Sequence, residues 1–352
     1  MRPIGYYVHH QGVGHWQRAT ALARRLRHPC TLIGTVAPER LATAPGPVLA
    51  LPDDAPEAGT AADAGGVAAL HYAPRGHAGL RARSAAIAGW IAAQRPALLV
   101  VDVSVETVLL ARLCATPVLS FRLAGRRDDL PHRTAFEASE ALIAPFPAAL
   151  EGPDTPDWVL RRSFHAGFLA PPPTMEDGLE AGVEDGSVLV IFGRGGAGGC
   201  RRALTAAARA VPERRWRVLG PVSGGEGEPL PPNLEILGWS DRPGALMARA
   251  AVVVGGGGDG VLAEVAALGR RFLCLPEPRP FGEQVVKARR LAGLGAAVVR
   301  EDWPAAEAWP ELLREALALD PSRLGSLFDP SALDRTADFI DDWAERAVRL
   351  YG

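Results

Sequence analysis

Lysine is almost missing. Lys287 is the only one in 352 residues, and Arg supplies every other basic side chain; beside so much Ala, Gly and Pro, this reads as a GC-rich coding bias. Cysteine is scarce as well. Cys30, Cys114, Cys200 and Cys274 are scattered and form no C-x-x-C pair, which points to neither a zinc cluster nor a disulfide framework and fits a reducing, cytoplasmic location. No uninterrupted apolar run approaches the ~18 residues of a membrane span, and no charged stretch with an apolar run behind it opens the chain. Neither a bilayer crossing nor a secretory leader is expected, although peripheral contact with a membrane is compatible. A formal net charge of −2 offers no global attraction to nucleic acid. A D-x-D metal motif is absent, and no glycine loop ends in the G-K-[ST] of a nucleotide-hydrolysing P-loop.

What is present is an ordinary globular composition, 48% hydrophobic and 22% charged, in a chain long enough for two cores. Short apolar runs alternate with helical spacing, the pattern of parallel sheets with crossover helices. The spacing predicts strands at 4–9, 30–34, 48–51, 97–103, 117–121 and 141–144, with a helix at 15–27. A second series follows at 187–192, 215–219, 234–237, 251–254, 271–275 and 296–299. Helices are expected there near 200–211, 244–250, 258–268 and 281–292. Residues 52–79 read as a binding loop or lid, and the proline, glycine and acid run at 170–186 reads as a domain boundary. A last helix opens at Ser331, with Asp334 in capping-box spacing.

Four constellations carry chemistry. HHQGVGHWQR, from His9 to Arg18, stands where the first strand gives way to the first helix, the edge at which open α/β sheets bind ligands. It is no dinucleotide fingerprint, because Gly12 and Gly14 lack the third glycine and the second strand leads to Thr35 instead of an acid. The two glycines keep the backbone open to a ligand. His15 suits either a helix cap or a general base, an imidazole titrating near ~6.5. LLVVDVSVET ends a buried strand in Asp102 at the same edge, as another helix cap or as the carboxylate that orients His15. FGRGGAGG, at 192–199, suits either a flexible turn or a phosphate site in which Gly193, Arg194, Gly195 and Gly196 present backbone N–H groups. Most informative is VVVGGGGDGVLAEVAALG, at 252–269, followed by LCLPEPRPFGEQVVKA. Its four consecutive glycines let a helix N-terminus approach a diphosphate. Glu264 lies in that helix at an offset suited to a ribose diol, and Glu283 with Gln284 opens the next helix with groups for sugar hydroxyls. Arg122, Arg126, Arg127 and Arg133 cluster after Phe121, as a solvated face or as partners for an acceptor's phosphate or carboxylate.

The combination of G-x-G-H-x-x-R, the glycine-rich turn with Glu264, and Glu283-Gln284 resembles the GT-B glycosyltransferases, and within them families 28 and 1. The resemblance covers 4–294 and is strongest over 234–288. It implies an α/β architecture of two Rossmann-like parallel-sheet domains facing across a cleft: an acceptor-binding domain at 1–169, a linker at 170–186, a nucleotide-sugar domain at 187–330, and a C-terminal helix at 331–352 returning to the first domain. It also implies inverting, metal-independent transfer from a nucleotide-diphosphate sugar, UDP-linked, to an acceptor hydroxyl, with no cofactor beyond that co-substrate. His15 would then be the base and Asp102 its partner. Gly193, Arg194, Gly195 and Gly196, with Gly256, Gly257, Gly258, Asp259 and Gly260, would cradle the diphosphate. Glu264 would hold the ribose, Glu283 and Gln284 the sugar, and Trp239 and Ser240 the base, while Gly12, Gly14, Arg122 and Arg126 would face the acceptor. There are two departures. Gly256 stands where family 1 often has histidine, and Lys287 where family 28 commonly has asparagine. The G-H-x-x-R turn also resembles UDP-sugar hydrolases of the same architecture. A non-catalytic nucleotide-sugar-binding subunit is the third reading, favoured if His15 and Asp102 lie far apart.

Overall fold

Buried aliphatic runs form the strands of two separate parallel sheets, in a computed structural model that describes residues 1–9, 13–55, 66–170, 184–193, 196–225, 227–240 and 243–352. Gly12, Arg194, Gly195 and 171–183 of the expected linker lie outside the described residues, as do 56–65 of the expected loop.

The first sheet holds β1 (Ile4–Tyr7), β2 (Cys30–Gly34), β3 (Val48–Ala50), β4 (Leu98–Asp102), β5 (Val118–Phe121), β6 (Ala141–Ala144) and β7 (Ser163–His165), in the order β3-β2-β1-β4-β5-β6-β7. Its crossovers carry α1 (Val13–Ala23), α2 (Pro38–Leu41), α3 (Ala78–Gln94), α4 (Val105–Leu113), α5 (Leu130–Ala138) and α6 (Asp157–Arg161). β1, β4, β5 and β6 are buried along their whole length, as strands covered on both faces must be. β7 escaped the sequence reading because its three half-buried residues, Ser-Phe-His, make no apolar run.

In the second unit come β8 (Val188–Ile191), β9 (Gly199–Cys200), β10 (Trp216–Leu219), β11 (Val222–Ser223), β12 (Leu234–Gly238), β13 (Val252–Gly255), β14 (Phe272–Cys274) and β15 (Val298–Val299). Six of these form a sheet in the order β12-β10-β8-β13-β14-β15, and β9 pairs with β11 beside it. Between them lie α7 (Arg201–Ala210), α8 (Gly244–Arg249), α9 (Asp259–Ala267) and α10 (Glu283–Gly293), followed by α11 (Trp309–Leu317) and α12 (Pro321–Gly325). Both sheets reverse strand order at the same topological place, between β1 and β4 and between β8 and β13. Open α/β sheets bind ligands outside the strand carboxyl ends at such a reversal.

The last helix, α13 (Ala332–Tyr351), crosses back to the first unit, where Leu333, Ile340 and Ala344 share a core with Ile4, Trp16 and Leu22. Phe339 stacks on Phe164 at 4.3 Å, and the buried Asp341 carboxylate lies 2.7 Å from His28 Nδ1. The expected capping box is not formed. The Ser331 hydroxyl donates to Asp329 at 2.6 Å, and Asp334 pairs with Arg25. An apolar cluster joins the two units, with Phe146, Leu150 and Phe168 packed in one core with Ala288 and Leu291 of α10.

Candidate active site

Parallel pairing brings the catalytic candidates together. Tyr7 at the end of β1 is in register with Val101, so Asp102 emerges at the edge where α1 begins. His15 and Arg18, three apart, share one face of that helix. His15 Nδ1 lies 2.9 Å from Asp102 Oδ2, and Arg18 Nη2 reaches both Asp102 oxygens at 2.6 and 2.8 Å. The separation that would favour a non-catalytic subunit is not found, since the two residues touch.

Arg18 Nη2 is also 3.0 Å from His15 Nδ1, so the tautomer must be argued. An unprotonated Nδ1 would set its lone pair against a carboxylate, whereas a protonated one donates to Asp102 while the Arg18 hydrogens serve the same carboxylate. Nδ1–H therefore faces Asp102, and Nε2 carries the lone pair, as a base requires. Asp102 is wholly buried. Burial works to raise its pKa, but the charge of Arg18 and the hydrogen bonds from His15 and Arg18 outweigh this and hold it well below the usual carboxylate range. Arg18 is buried too and lies 4.7 Å over the Phe121 ring; burial works against its charge, yet Asp102 drives its pKa up. Arg18 was visible in the G-H-x-x-R motif without a role assigned to it.

Val103, directly after Asp102, has φ +61°. A β-branched residue in the left-handed region is strained by about 1–3 kcal/mol, a cost typical of functional sites. Ser104 then caps α4 by accepting from the Thr107 N–H.

On the other side, the Gly255-to-Asp259 turn leads from β13 into α9. Gln284 does not point into open space: it is buried, and its Oε1 accepts the N–H groups of Gly257 and Glu277, each at 2.9 Å. Lys287, one turn further along α10, pairs with Asp259. Gly196 packs against the Glu277 carboxylate so closely that a Cβ would sit 2.1 Å from Oε1. Glu277, in the Pro-Glu-Pro after β14, thus joins both glycine turns; the sequence reading did not single it out. Gly193 borders open space, Gly256, Gly258 and Glu264 are half-buried, and Gly260 is exposed in the first turn of α9. Trp239 is 47% exposed and Ser240 half-buried just beyond β12.

The two units touch through this region. Phe281, at φ +62°, accepts the Arg126 N–H at 2.9 Å, lies under the Arg127 guanidinium and packs on His132 at 4.7 Å between ring centroids. Glu283 lies 3.5 Å from Arg127. Asp129 bridges His71 at 3.1 Å and His132 at 2.7 Å, the only cluster of three possible metal ligands among the described residues. Arg127, 3.0 Å from His132 Nε2, sets a positive charge against a cation there.

A cleft at the ends of β4 and β5 is lined by Val101, Val103, Phe121, Phe136, Arg122 and Arg127 among others. Arg122 is buried and its charge is met by Glu151, which His165 also contacts. Arg126 is exposed and pairs with Asp128 at 2.9 Å. Gly14, in the first turn of α1, has no neighbour near its absent side chain.

Two parallel sheets, each with its own reversal of strand order, and the likeness to solved glycosyltransferases define the architecture: the chain has the GT-B glycosyltransferase fold. It superposes on the glycotransferase of kitacinnamycin with a TM-score of 0.71 at 16% identity, covering 97% of this chain and 98% of that one. MurG of Acinetobacter baumannii gives 0.66 at 16% identity, with 97% and 100% covered. Residues 221–322 match the glycosyltransferase family 28 C-terminal domain. In sequence, the chain is 33% identical over 180 residues to the UDP-N-acetylglucosamine--N-acetylmuramyl-(pentapeptide) pyrophosphoryl-undecaprenol N-acetylglucosamine transferase of Leifsonia xyli subsp. xyli (strain CTCB07), covering 50% of this chain and 48% of that protein. The chain spans between 48% and 64% of the length of the curated relatives it matches.

Proposed function

We propose that the chain is an inverting, metal-independent glycosyltransferase that moves a sugar from a UDP-sugar to an acceptor hydroxyl. One observation carries the reading: His15 Nδ1 lies 2.9 Å from the buried Asp102 carboxylate, at the edge of the first sheet where its strand order reverses. The glycine turn that opens α9 follows β13, at the corresponding reversal of the second sheet. His15 Nε2 takes the proton of the acceptor hydroxyl. The oxygen attacks the anomeric carbon from the side opposite the diphosphate; the bond from that carbon to the β-phosphate oxygen breaks, and its electron pair stays on that oxygen. The N–H groups opening α9 receive the new charge in place of a divalent ion. Asp102 stabilises the imidazolium while Arg18 keeps the carboxylate ionised and fixed.

UDP as the carrier is supported by the family 28 match and by the donor in the name of the relative. All four cysteines are free, which agrees with a cytoplasmic location, and no helix among the described residues is long and apolar enough to cross a membrane. The test is a thermal-shift screen of UDP-, dTDP- and GDP-sugars followed by turnover with and without acceptor alcohols. UDP-sugars should raise the melting temperature, and UDP release should depend on acceptor. Rapid UDP release with free sugar and no acceptor would instead make the chain a hydrolase.

A further inference from the structure

The chain's single lysine lies in its interior. Lys287 is 2% exposed, in a protein where Arg fills the other 37 of 38 basic positions. A lysine standing alone against such a bias marks a place where a compact point charge serves and a wide planar guanidinium does not. Its surroundings say what the charge is for. Gln284 and Lys287 are three apart on the inward face of α10, and both grip the turn that opens α9: Gln284 through the Gly257 N–H, Lys287 through the Asp259 carboxylate. Gln284 Oε1 already holds the turn by accepting the Gly257 N–H, and ties it to the next loop by accepting that of Glu277. The ammonium adds charge to a place that is geometrically settled.

Among the buried cations around the cleft, the partners differ in how easily they can leave. Arg18 is held by Asp102, 0% exposed, and Arg122 by Glu151, 13% exposed. The Asp259 side chain is 31% exposed and is the first residue of α9, where a helix favours an anion. Uncovering a buried ammonium costs several kcal/mol unless another anion replaces its partner.

We propose that Lys287 is the side-chain cation for the donor diphosphate and that Asp259 is a placeholder, covering the ammonium until a phosphate takes its place. This rests on the donor reading given above and extends it. When the bond from the anomeric carbon to the β-phosphate oxygen breaks, that oxygen keeps the electron pair, and Lys287 with the α9 N-terminus takes up the added negative charge. The cation is supplied from α10, while the turn itself, from Gly255 to Gly258, carries no side chain at all.

The experiment measures binding of UDP by calorimetry and of uridine by ligand-observed NMR to the intact wild-type chain, Lys287→Met and Asp259→Asn. Lys287→Met should weaken UDP by about 10- to 100-fold, the range for a hydrogen bond to a charged group, and leave uridine unchanged. Asp259→Asn should tighten UDP, because a competing anion is gone. The double variant, which leaves no charge unpaired, serves if Lys287→Met does not fold, with the same loss of UDP and retention of uridine expected. Equal effects on UDP and uridine, no effect on either, or weaker UDP binding in Asp259→Asn would overturn the proposal while leaving the donor site in place. A wild type that binds neither compound would remove the donor site, and the proposal with it.

Discussion

Arg18 and Asp102 form a buried ion pair in which one guanidinium nitrogen serves both carboxylate oxygens, at 2.6 and 2.8 Å. Removing one member leaves the other charged and dry. Arg18→Met should therefore lower unfolding free energy by about 3–5 kcal/mol, and Arg18→Met with Asp102→Leu should recover much of that loss. Turnover should be lost in both. A single variant as stable as wild type in urea titrations would mean that the pair is not buried as described.

His132 predicts a pH dependence. Burial, foremost, and the charge of Arg127 push its pKa down to about 4, against the opposing pull of Asp129. Its folded pKa is thus below the unfolded value near ~6.5, so the unfolded chain binds more protons between the two, and stability rises with pH across that window. The contribution, about 3 kcal/mol, is complete above pH ~6.5 and lost as pH falls toward 4. His132→Asn should flatten the melting temperature over that interval; an unchanged slope would assign the dependence to another group.

Gly125 faces the Phe281 carbonyl across the domain boundary at φ +97°, and a Cβ there would stand 2.3 Å from that oxygen. Gly125→Ala meets both a left-handed backbone and a collision, at a cost of about 1–3 kcal/mol. The contact lies where the two units meet, so the strain should be relieved by easing them apart around the apolar cluster they share. The radius of gyration from solution scattering should rise and transfer should fall, with the circular dichroism spectrum unchanged. Unaltered scattering and activity would show that this contact does not set the closure.

What could be read from the sequence was local. The aliphatic runs of β1, β4 and β13 and the glycines before α9 declare themselves because burial and close backbone approach act on neighbouring residues. His15 and Asp102 were legible as sharing an edge, since strand ends share one in a parallel sheet. The roles of Arg127, Phe281 and Glu283 were not, because those contacts join residues about 155 positions apart, 156 for Arg127 with Glu283. Gln284 and Arg122 read as ligand-facing groups, yet partners remote in sequence, Gly257 and Glu151, occupy Gln284 Oε1 and the Arg122 guanidinium. The capping box at Ser331 failed to a nearer competitor, Asp329, two residues upstream.

The role of His15 as the base is tested most directly by one paired measurement, turnover and UDP affinity determined on the same preparation of His15→Ala. Turnover is predicted to fall by about 10²–10⁴-fold, with UDP bound as tightly as by wild type. Full activity in that variant, or loss of UDP binding in step with turnover, would contradict it.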